Sequence, residues 1–513
     1  MALWRSTVIV SAMTMLSRVL GLVRDVVLLN VFGAGKDFDT FVVAFRIPNF
    51  FRRLFAEGAF SQAFIPVLTE YKTSRAHAEV QILISRVFGC LLTAMSLLTF
   101  VAMVAAPAII YLYAPGFHND PEKFELAVDM FRLTIPYLMF MSLTAFASSI
   151  LNSYGSFASP AFSPVLLNVA MIAGAWWLTP YMAEPIMALG WAVVAAGVLQ
   201  LAIQIPELWK KNLLIPPKVD FKHEGVDRIL KLMLPALFGV SVTQINLLLN
   251  TIWASFMQDG SVSWLYSAER MTELPLGLIG VAIGTVILPS LSARHAEQDQ
   301  TKFRSMIDWA AKVIMLVGIP ASIALFMLST PIIQALFQRG EFTWEDTKMT
   351  ALALQCMSAG VISFMLIKVF APGFYAQQDT KTPVRVGLMA VAANAILNVM
   401  FIGFFKLIDW QAEHMALALA SSGSALVNAG MLYFYLHKRN IFRFGAHWKK
   451  LAFQYAIANI AMIAALWYGL TWYQGEVSQW LRIAEVIGLC VVGVVAYLIG
   501  LLVTGFRPRH LKA

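Results

Sequence analysis

Charge is scarce in this chain. Only 13% of its 513 residues are Asp, Glu, Lys or Arg, while 59% are hydrophobic and mean hydropathy is +0.71. A soluble domain is about 45–50% apolar and about 25% charged, so the composition excludes one and points to a polytopic membrane protein. Cysteine is almost missing. Cys90, Cys356 and Cys490 lie far apart inside apolar segments, which excludes a disulfide framework or a metal-ligand spacing and reads as core packing. The eight histidines show no HExxH or paired spacing, so no metal site is expected. VFGAGKD at 31–37 lacks what a phosphate loop needs: the first glycine of that pattern would fall on Asn30, and Asp37 stands where Ser or Thr belongs. With no nucleotide motor, any transport must draw on a gradient, the membrane potential or a partner. The first apolar stretch, Thr7 to Phe32, carries Arg18 and Arg24 and no small-residue cleavage site, so it reads as a first span and not as a signal peptide.

Segments long enough to cross a bilayer, about 20 residues each, fall near 7–32, 38–68, 81–113, 124–151, 160–180, 186–209, 228–257, 262–291, 305–337, 347–373, 384–406, 413–437, 450–473 and 482–505. That count of fourteen defines the expected fold class, an all-α polytopic membrane protein. The net charge of +9 does not form a basic patch with interleaved aromatics, so no nucleic acid partner is expected. It collects in alternate loops instead. Lys210, Lys211, Lys218, Lys222 and Arg228, and later Lys438, Arg439, Arg443, Lys449 and Lys450, lie on one side, whereas the opposite loops hold only Lys36, Lys123, Arg339, Lys348 and Lys406. The positive-inside rule then places both termini in the cytoplasm.

A duplication shows in the prolines. Pro66 and Pro289 end the second and eighth spans, Pro160 and Pro383 open the fifth and eleventh, and each pair is 223 residues apart. The segments LWKKNLLIP (208–216) and YLHKRNIFRF (435–444) also finish alike, a basic helix end followed by Asn and apolar residues. Two six-helix lobes related by a parallel pseudo-two-fold axis follow, as in transporters built from parallel repeats. The expected divisions are an N-lobe at 1–217, a C-lobe at 218–445, and two extra helices with a cytoplasmic tail at 446–513.

Arginine inside apolar spans is the strongest functional signal, because an intramembrane cation persists only beside a partner or a wet cavity. In SRVLGLVRD, Ser17, Gly21 and Arg24, and Arg18, Gly21 and Asp25, recur at intervals of three and four and share one glycine-marked face or its edge. In the second span Arg53 and Glu57 are i,i+4 partners, which leaves Arg52 without an acid on its own helix. The eighth span carries Ser263, Glu269, Arg270 and Glu273, with Arg270 and Glu273 spaced as an i,i+3 pair. The bland reading is a salt-bridge network. Asp25 is the one surplus carboxylate near Arg18, Arg24 and Arg52, so the favoured reading is an anion from outside the protein. The guanidinium fork suits phosphate oxygens and stays ionised when desolvated. Lys368 and Arg132 are weaker candidates for the same cavity. No cofactor and no catalytic residue is expected.

The stretches SRVLGLVRD (17–25), FGAGKDFDTFVVAFRIPNFFRRLFAEGAFSQAFIPVL (32–68), SVSWLYSAERMTELPLGLIGVAIGTVILPSLS (261–292) and APGFYAQQDTKTP (371–383) resemble the MurJ (MviN) family of lipid II flippases. That resemblance implies the fold of the multidrug, oligosaccharidyl-lipid and polysaccharide exporter superfamily: two six-helix lobes around a central cavity, with the last two helices forming a groove for an isoprenoid tail. It implies lipid II as substrate, the undecaprenyl-pyrophosphate disaccharide pentapeptide, carried from the cytoplasmic to the periplasmic leaflet of the bacterial inner membrane by alternating access in the service of peptidoglycan biosynthesis. Membrane lipids and cell-wall synthesis proteins are the further candidate partners. By motif, Arg18, Arg24, Arg52 and Arg270 match substrate-binding arginines of the family. Ser17, Asp39, Glu57, Ser263 and Glu273 match other sensitive positions, with Gly21, Asp25, Arg53 and Glu269 in support. Glu269 departs from the family's usual Asp. The alternative is an exporter of other polyprenyl-linked oligosaccharides or of drugs, though a cationic-drug exporter should line its cavity with carboxylates. An integral-membrane glycosyltransferase would need an acid on substantial outward loops, and Asp120, Glu122 and Glu341 form no such arrangement.

Overall fold

The computed structural model describes residues 2–52, 60–277, 287–288, 290–294, 297–475 and 477–507, and these contain helices and connections but no strand. In a bilayer this is the expected solution, since a helix satisfies its own backbone where no water can. The contacts divide the chain into two compact units, Met1–Ser263 and Trp264–Ala513.

The first unit contains α1 (Ala2–Phe32), α2 (Lys36–Arg52), α3 (Phe60–Ser74), α4 (His77–Val104), α5 (Ala106–Tyr113), α6 (Pro121–Thr134), α7 (Pro136–Ser153), α8 (Ala158–Ala173), α9 (Met187–Ala202), α10 (Ile205–Lys210) and α11 (Glu224–Ala254). Helix α12 (Ser261–Pro275) begins here and continues into the second unit. Gly33, at φ +69, closes α1 with its N–H on the Leu29 carbonyl, a left-handed conformation that costs glycine least. The unit's core joins Phe60, Phe64, Leu68 and Tyr71 of α3 to Leu83, Ile84 and Val87 of α4, Phe146 and Ile150 of α7, and Val226 and Ile229 of α11. Helix α11 thus packs in the same unit as α3 and α4, so the compact division falls after Ser263, where the sequence repeat suggests 217/218. The connection before α11 is laced to α4: Ser85 Oγ donates to the Pro216 carbonyl (2.7 Å), the Lys218 N–H to the Ser85 carbonyl (3.1 Å), and Gln81 Nε2 to the Asn212 carbonyl (2.8 Å). Gly89 makes that approach feasible, because a Cβ there would stand 2.4 Å from the Lys218 backbone.

The second unit adds α13 (Gln300–Met327), α14 (Ser329–Phe337), α15 (Trp344–Ser358), α16 (Val361–Tyr375), α17 (Lys381–Leu407), α18 (Met415–Lys438), α19 (His447–Leu470) and α20 (Gln479–Val503). Its core runs through Phe303, Ile307 and Ile314 of α13, Met365, Val369 and Phe370 of α16, and Leu432 and Leu436 of α18. The last two helices dock on α13, where Trp448 Nε1 donates to Asp308 (2.7 Å) and Tyr497 Oη to the Leu316 carbonyl (2.7 Å). Cys90 and Cys356 are buried as core packing requires, but Cys490 is exposed on α20, where core packing does not account for it.

Ten helical stretches are long and apolar enough to cross a membrane among the described residues, and each coincides with one of the fourteen segments read from the sequence. The other four (7–32, 38–68, 228–257 and 262–291) are helical over most of their described parts, and three of them carry the intramembrane arginines. Trp177 and Trp480 are 74% and 82% exposed, at helix ends where indoles settle between hydrocarbon and water.

Two backbone turns recur between the units. Asn212 and Asn440 both adopt left-handed φ (+55 and +53), and the amides of Leu213 and Ile441 bond the carbonyls of Leu208 and Leu436, each at 2.9 Å. Gly155 and Gln378, 223 residues apart, are both left-handed (φ +75 and +58). Ser156 bonds Leu151 and Asp379 bonds Phe374 across them, at 2.9 and 3.0 Å. Pro66, Pro160 and Pro383 lie in helices, whereas Pro289 falls outside the described residues.

Candidate functional site

Along α1 the residues at three- and four-residue intervals turn toward α8. Gly21 is buried, and Arg24 and Asp25 are only 7% and 1% exposed. Arg24 donates from Nε (3.0 Å) and Nη2 (2.6 Å) to Asp25 Oδ1, and from Nη1 to Asn168 Oδ1 (3.1 Å). Asn168 in turn donates from Nδ2 to the Ser17 carbonyl at 3.0 Å. Ser17 therefore enters the site through its backbone. Burying a guanidinium and a carboxylate costs both their hydration, and the pair is supported by the asparagine oxygen, which accepts from the third guanidinium nitrogen while the amide nitrogen ties the group to the backbone. Arg18 is exposed and makes no hydrogen bond or ion pair with a described residue. Six residues before Arg24, it lies about 120° from it around the helix, with Gly21 between the two, so the arginines flank the glycine-marked face and only Arg24 is buried there.

A second cluster gathers at the start of α2 and α6. Asp120 caps α6, accepting from the Lys123 N–H at 3.2 Å, which fixes the first turn that carries Lys123. Lys123, 4% exposed, bridges Asp39 Oδ2 (3.3 Å) and Asp259 Oδ1 (2.6 Å), with its ammonium 4.3 Å from the centre of the Phe117 ring. Asp39, 1% exposed, also accepts from the Gly260 N–H (2.9 Å), the Ser263 N–H (2.9 Å) and the Ser263 hydroxyl (2.5 Å). The carboxylate thus caps the first turn of α12, where exposed N–H groups favour a negative charge. Nearby, Lys36 pairs with Asp120 (2.7 Å) and Glu122 (3.2 Å). Those bonds raise the Lys36 ammonium above its usual value, and the Lys36 bond holds the Asp120 carboxyl below its own.

The remaining residues are more open. Arg52 is half-buried and donates to Asn49 Oδ1 (2.9 Å), and Arg46 donates to Thr251 Oγ1 (2.8 Å). Arg53 and Glu57 lie outside the described residues. In the second unit Arg270 bonds Glu273 at 2.9 Å, the i,i+3 pair read from the sequence, with Glu269 half-buried on the same helix. Lys368 is exposed, and Arg132 pairs with Asp129 at 3.4 Å.

Within the first unit, then, four of the candidate residues form two clusters that share no member, Arg24 with Asp25 beside α8 and Asp39 with Ser263 at the head of α12, while Arg18 and Arg52 belong to neither. Sequence reasoning missed Asn168, Lys123 and Asp259. Asn168, a lone amide in the apolar run PVLLNVAMIA, carried a usable signal. Lys123 carried none, because its local sequence reads as a loop at a helix start. No group of three or more His, Cys, Asp or Glu that could hold a metal occurs among the described residues.

A family model described as Lipid II flippase MurJ matches residues 28–490. A protein of Vibrio cholerae serotype O1, named probable lipid II flippase MurJ, is 44% identical over 522 residues, covering 100% of this chain and 98% of the relative. Among solved structures, a lipid II flippase MurJ in an inward closed conformation aligns with a TM-score of 0.79 and 26% identity, over 96% of this chain and 98% of that one. A multidrug resistance MATE family transporter of the MOP superfamily, in an inward-facing conformation, aligns at 0.64 with 16% identity over 84% of this chain and 97% of its own. That last likeness concerns the fold alone.

Proposed function

The chain belongs to the MurJ family of lipid II flippases, and from that premise we propose how its own residues carry out the transfer. It is a polytopic membrane transporter that flips lipid II, and so serves peptidoglycan biosynthesis. Similarity to relatives along its whole length carries this reading. We read it as a transporter with no catalytic step, and as an inner-membrane protein of fourteen spans whose basic loops and both termini face the cytoplasm.

Arg18, Arg24, Arg52 and Arg270 are assigned to the substrate's diphosphate. What supports the assignment is the cost of placing guanidinium groups in apolar helices, and the match between a planar fork and phosphate oxygens. Arg24 meets its present partner, Asp25, through two of its nitrogens. A diphosphate offers more acceptor oxygens than one carboxylate, so exchanging Asp25 for substrate supplies the differential affinity that a conformational change needs. Asp39, holding the Gly260 and Ser263 amides, is given a separate role, which is to fix the first turn of the helix through which the chain passes from one compact unit to the other. The recurring left-handed turns support two lobes derived from one repeat, at 1–217 and 218–445, followed by two further helices at 446–513.

The test is reconstitution in vesicles with labelled lipid II, scoring its appearance on the far leaflet with and without an imposed potential. Moving one elementary charge through the field changes its energy by about 2.3 kcal/mol per 100 mV, so a voltage effect on rate is expected. Absence of lipid II transfer by correctly inserted protein overturns the reading.

A further inference from the structure

Two arginines of the second unit have no role in that mechanism. Arg339 follows α14 and Arg482 opens α20, and neither forms an ion pair with a described carboxylate. Each spends one N–H on the carbonyl-rich end of α14. Arg339 Nη2 donates to the Leu336 carbonyl (3.2 Å), and Arg482 Nη1 reaches the Gln338 carbonyl at 3.5 Å. Gln479 Nε2 bonds the Ala335 carbonyl in the same place. A guanidinium has five N–H donors, so capping leaves most of them unused. The Nε of Arg339 and the Nε of Arg482 are both buried with no hydrogen-bond partner, and so is the side-chain oxygen of Gln338. Buried donors without partners are rare in folded proteins, and each calls for an occupant or a reason. Burial also lowers the Arg339 guanidinium's affinity for its proton, the opposite of what a bound anion would do.

The surroundings are rigid. Gln334 donates to the Gly475 carbonyl (2.9 Å) and accepts from Tyr473 Oη (2.9 Å), which pins the turn between α19 and α20 against α14. A Cβ on Gly475 would stand 2.8 Å from the Gln334 side chain, so the close approach depends on glycine. This corner therefore presents two fixed cationic forks and one amide acceptor.

We propose that Arg339 and Arg482 form a binding site for a lipid-borne phosphate ester that also carries free hydroxyl groups. The phosphate oxygens accept from the two guanidinium groups, and a hydroxyl donates to Gln338 Oε1. Glycerophosphate headgroups of membrane phospholipids and the sugar diphosphate of a lipid-linked precursor share this chemistry. That the site faces the outward leaflet rests on the topology proposed above, whereas the binding itself does not.

The experiment uses the full chain in detergent, titrated in parallel with phosphatidylglycerol, zwitterionic phosphatidylcholine and lipid II, with bound lipid counted by native mass spectrometry. The double variant Arg339→Gln/Arg482→Gln is expected to lose about tenfold or more in retention of phosphatidylglycerol or lipid II, as for several charge-assisted bonds, with a smaller change for phosphatidylcholine, whose phosphodiester brings no hydroxyl to Gln338. Loss for phosphatidylglycerol alone identifies a membrane phospholipid as occupant, and loss for lipid II alone identifies the precursor. Unchanged retention of both, or an equal loss for phosphatidylcholine, reduces the arginines to helix caps and overturns the site. If the double variant does not fold, Arg339→Lys/Arg482→Lys is scored the same way: a partial loss supports the site, and wild-type retention of all three lipids counts against it. Glu476 lies outside the described residues. If Glu476→Gln lowers the lipid-free melting temperature as much as Arg482→Gln, an internal ion pair replaces the ligand and the proposal falls. Flipping of labelled lipid II is measured alongside: lost retention in the variant with intact flipping leaves the transport reading untouched, and failure of the wild-type protein to flip strikes that reading without touching the site.

Discussion

The carboxylate of Asp39 holds Ser263 twice, accepting its backbone N–H at 2.9 Å and its hydroxyl at 2.5 Å, across 224 residues of sequence. The same carboxylate neutralises Lys123, so one side chain joins α2, α6 and the first turn of α12.

Removing it should be costly. Asp39→Ala leaves Lys123 with Asp259 alone and takes the acceptor from the Gly260 and Ser263 amides, at about 1–3 kcal/mol for each orphaned donor. Ser263→Ala removes the hydroxyl but keeps the amide bond, for about 1.5 kcal/mol. Thermal melting in detergent should rank the two in that order. The double variant should lose less than the sum, because both single changes remove the same bond.

Arg24 separates structure from transport. Arg24→Ala removes the two hydrogen bonds that Asp25 accepts from the guanidinium in the α1–α8 contact, and should lower stability and abolish flipping. Adding Asp25→Asn removes the carboxylate's charge from that contact, so melting temperature should recover in part while flipping of labelled lipid II stays abolished. Recovery of flipping in the double variant would show that Arg24 serves Asp25 and not the substrate.

Gly89→Ala places a methyl where the Lys218 backbone stands 2.4 Å away. Either α4 or the 216–220 connection must move, at about 1–3 kcal/mol for an overpacked contact. Limited proteolysis should then cut faster between α10 and α11, and unchanged cutting would show that the lacing is dispensable.

Acid should loosen the turn that precedes α17. Burial raises the Asp379 carboxyl, but bonds from the Thr382 hydroxyl and N–H and from Arg439 outweigh it and bring the group from 3.8 down to about 2. A carboxyl depressed on folding contributes stability above its unfolded value and loses it as pH falls toward the folded one. Wild-type melting temperature should therefore drop between about pH 4 and about pH 2, and Asp379→Asn should flatten that limb. Flipping near neutral pH should not respond to this group.

Apolar runs and residue spacing made the membrane class and ten spans readable in advance, because hydropathy and helical period act over a few turns of chain. The Arg270 and Glu273 pair was readable for the same reason: three residues on one helix bring two side chains together wherever the helix lies. At Asn212 and Asn440 the sequence showed only a shared basic helix end followed by Asn, and the left-handed turn common to both appeared in the structure.

Partner choice was not readable. Arg18 and Arg24 share a residue type, a span and a glycine, yet one is exposed and the other buried, a difference of rotation that counts only once α8 has packed. Asn168 and Lys123 complete the two clusters from 144 and 84 positions away. No local pattern specifies such pairs, because they come from which helices meet and at what height. Sequence alone settled what must lie in the membrane and which charges would be expensive there. Packing decided which partner meets each charge, since a hydrogen bond needs two atoms within about 3 Å and only the folded chain sets that distance.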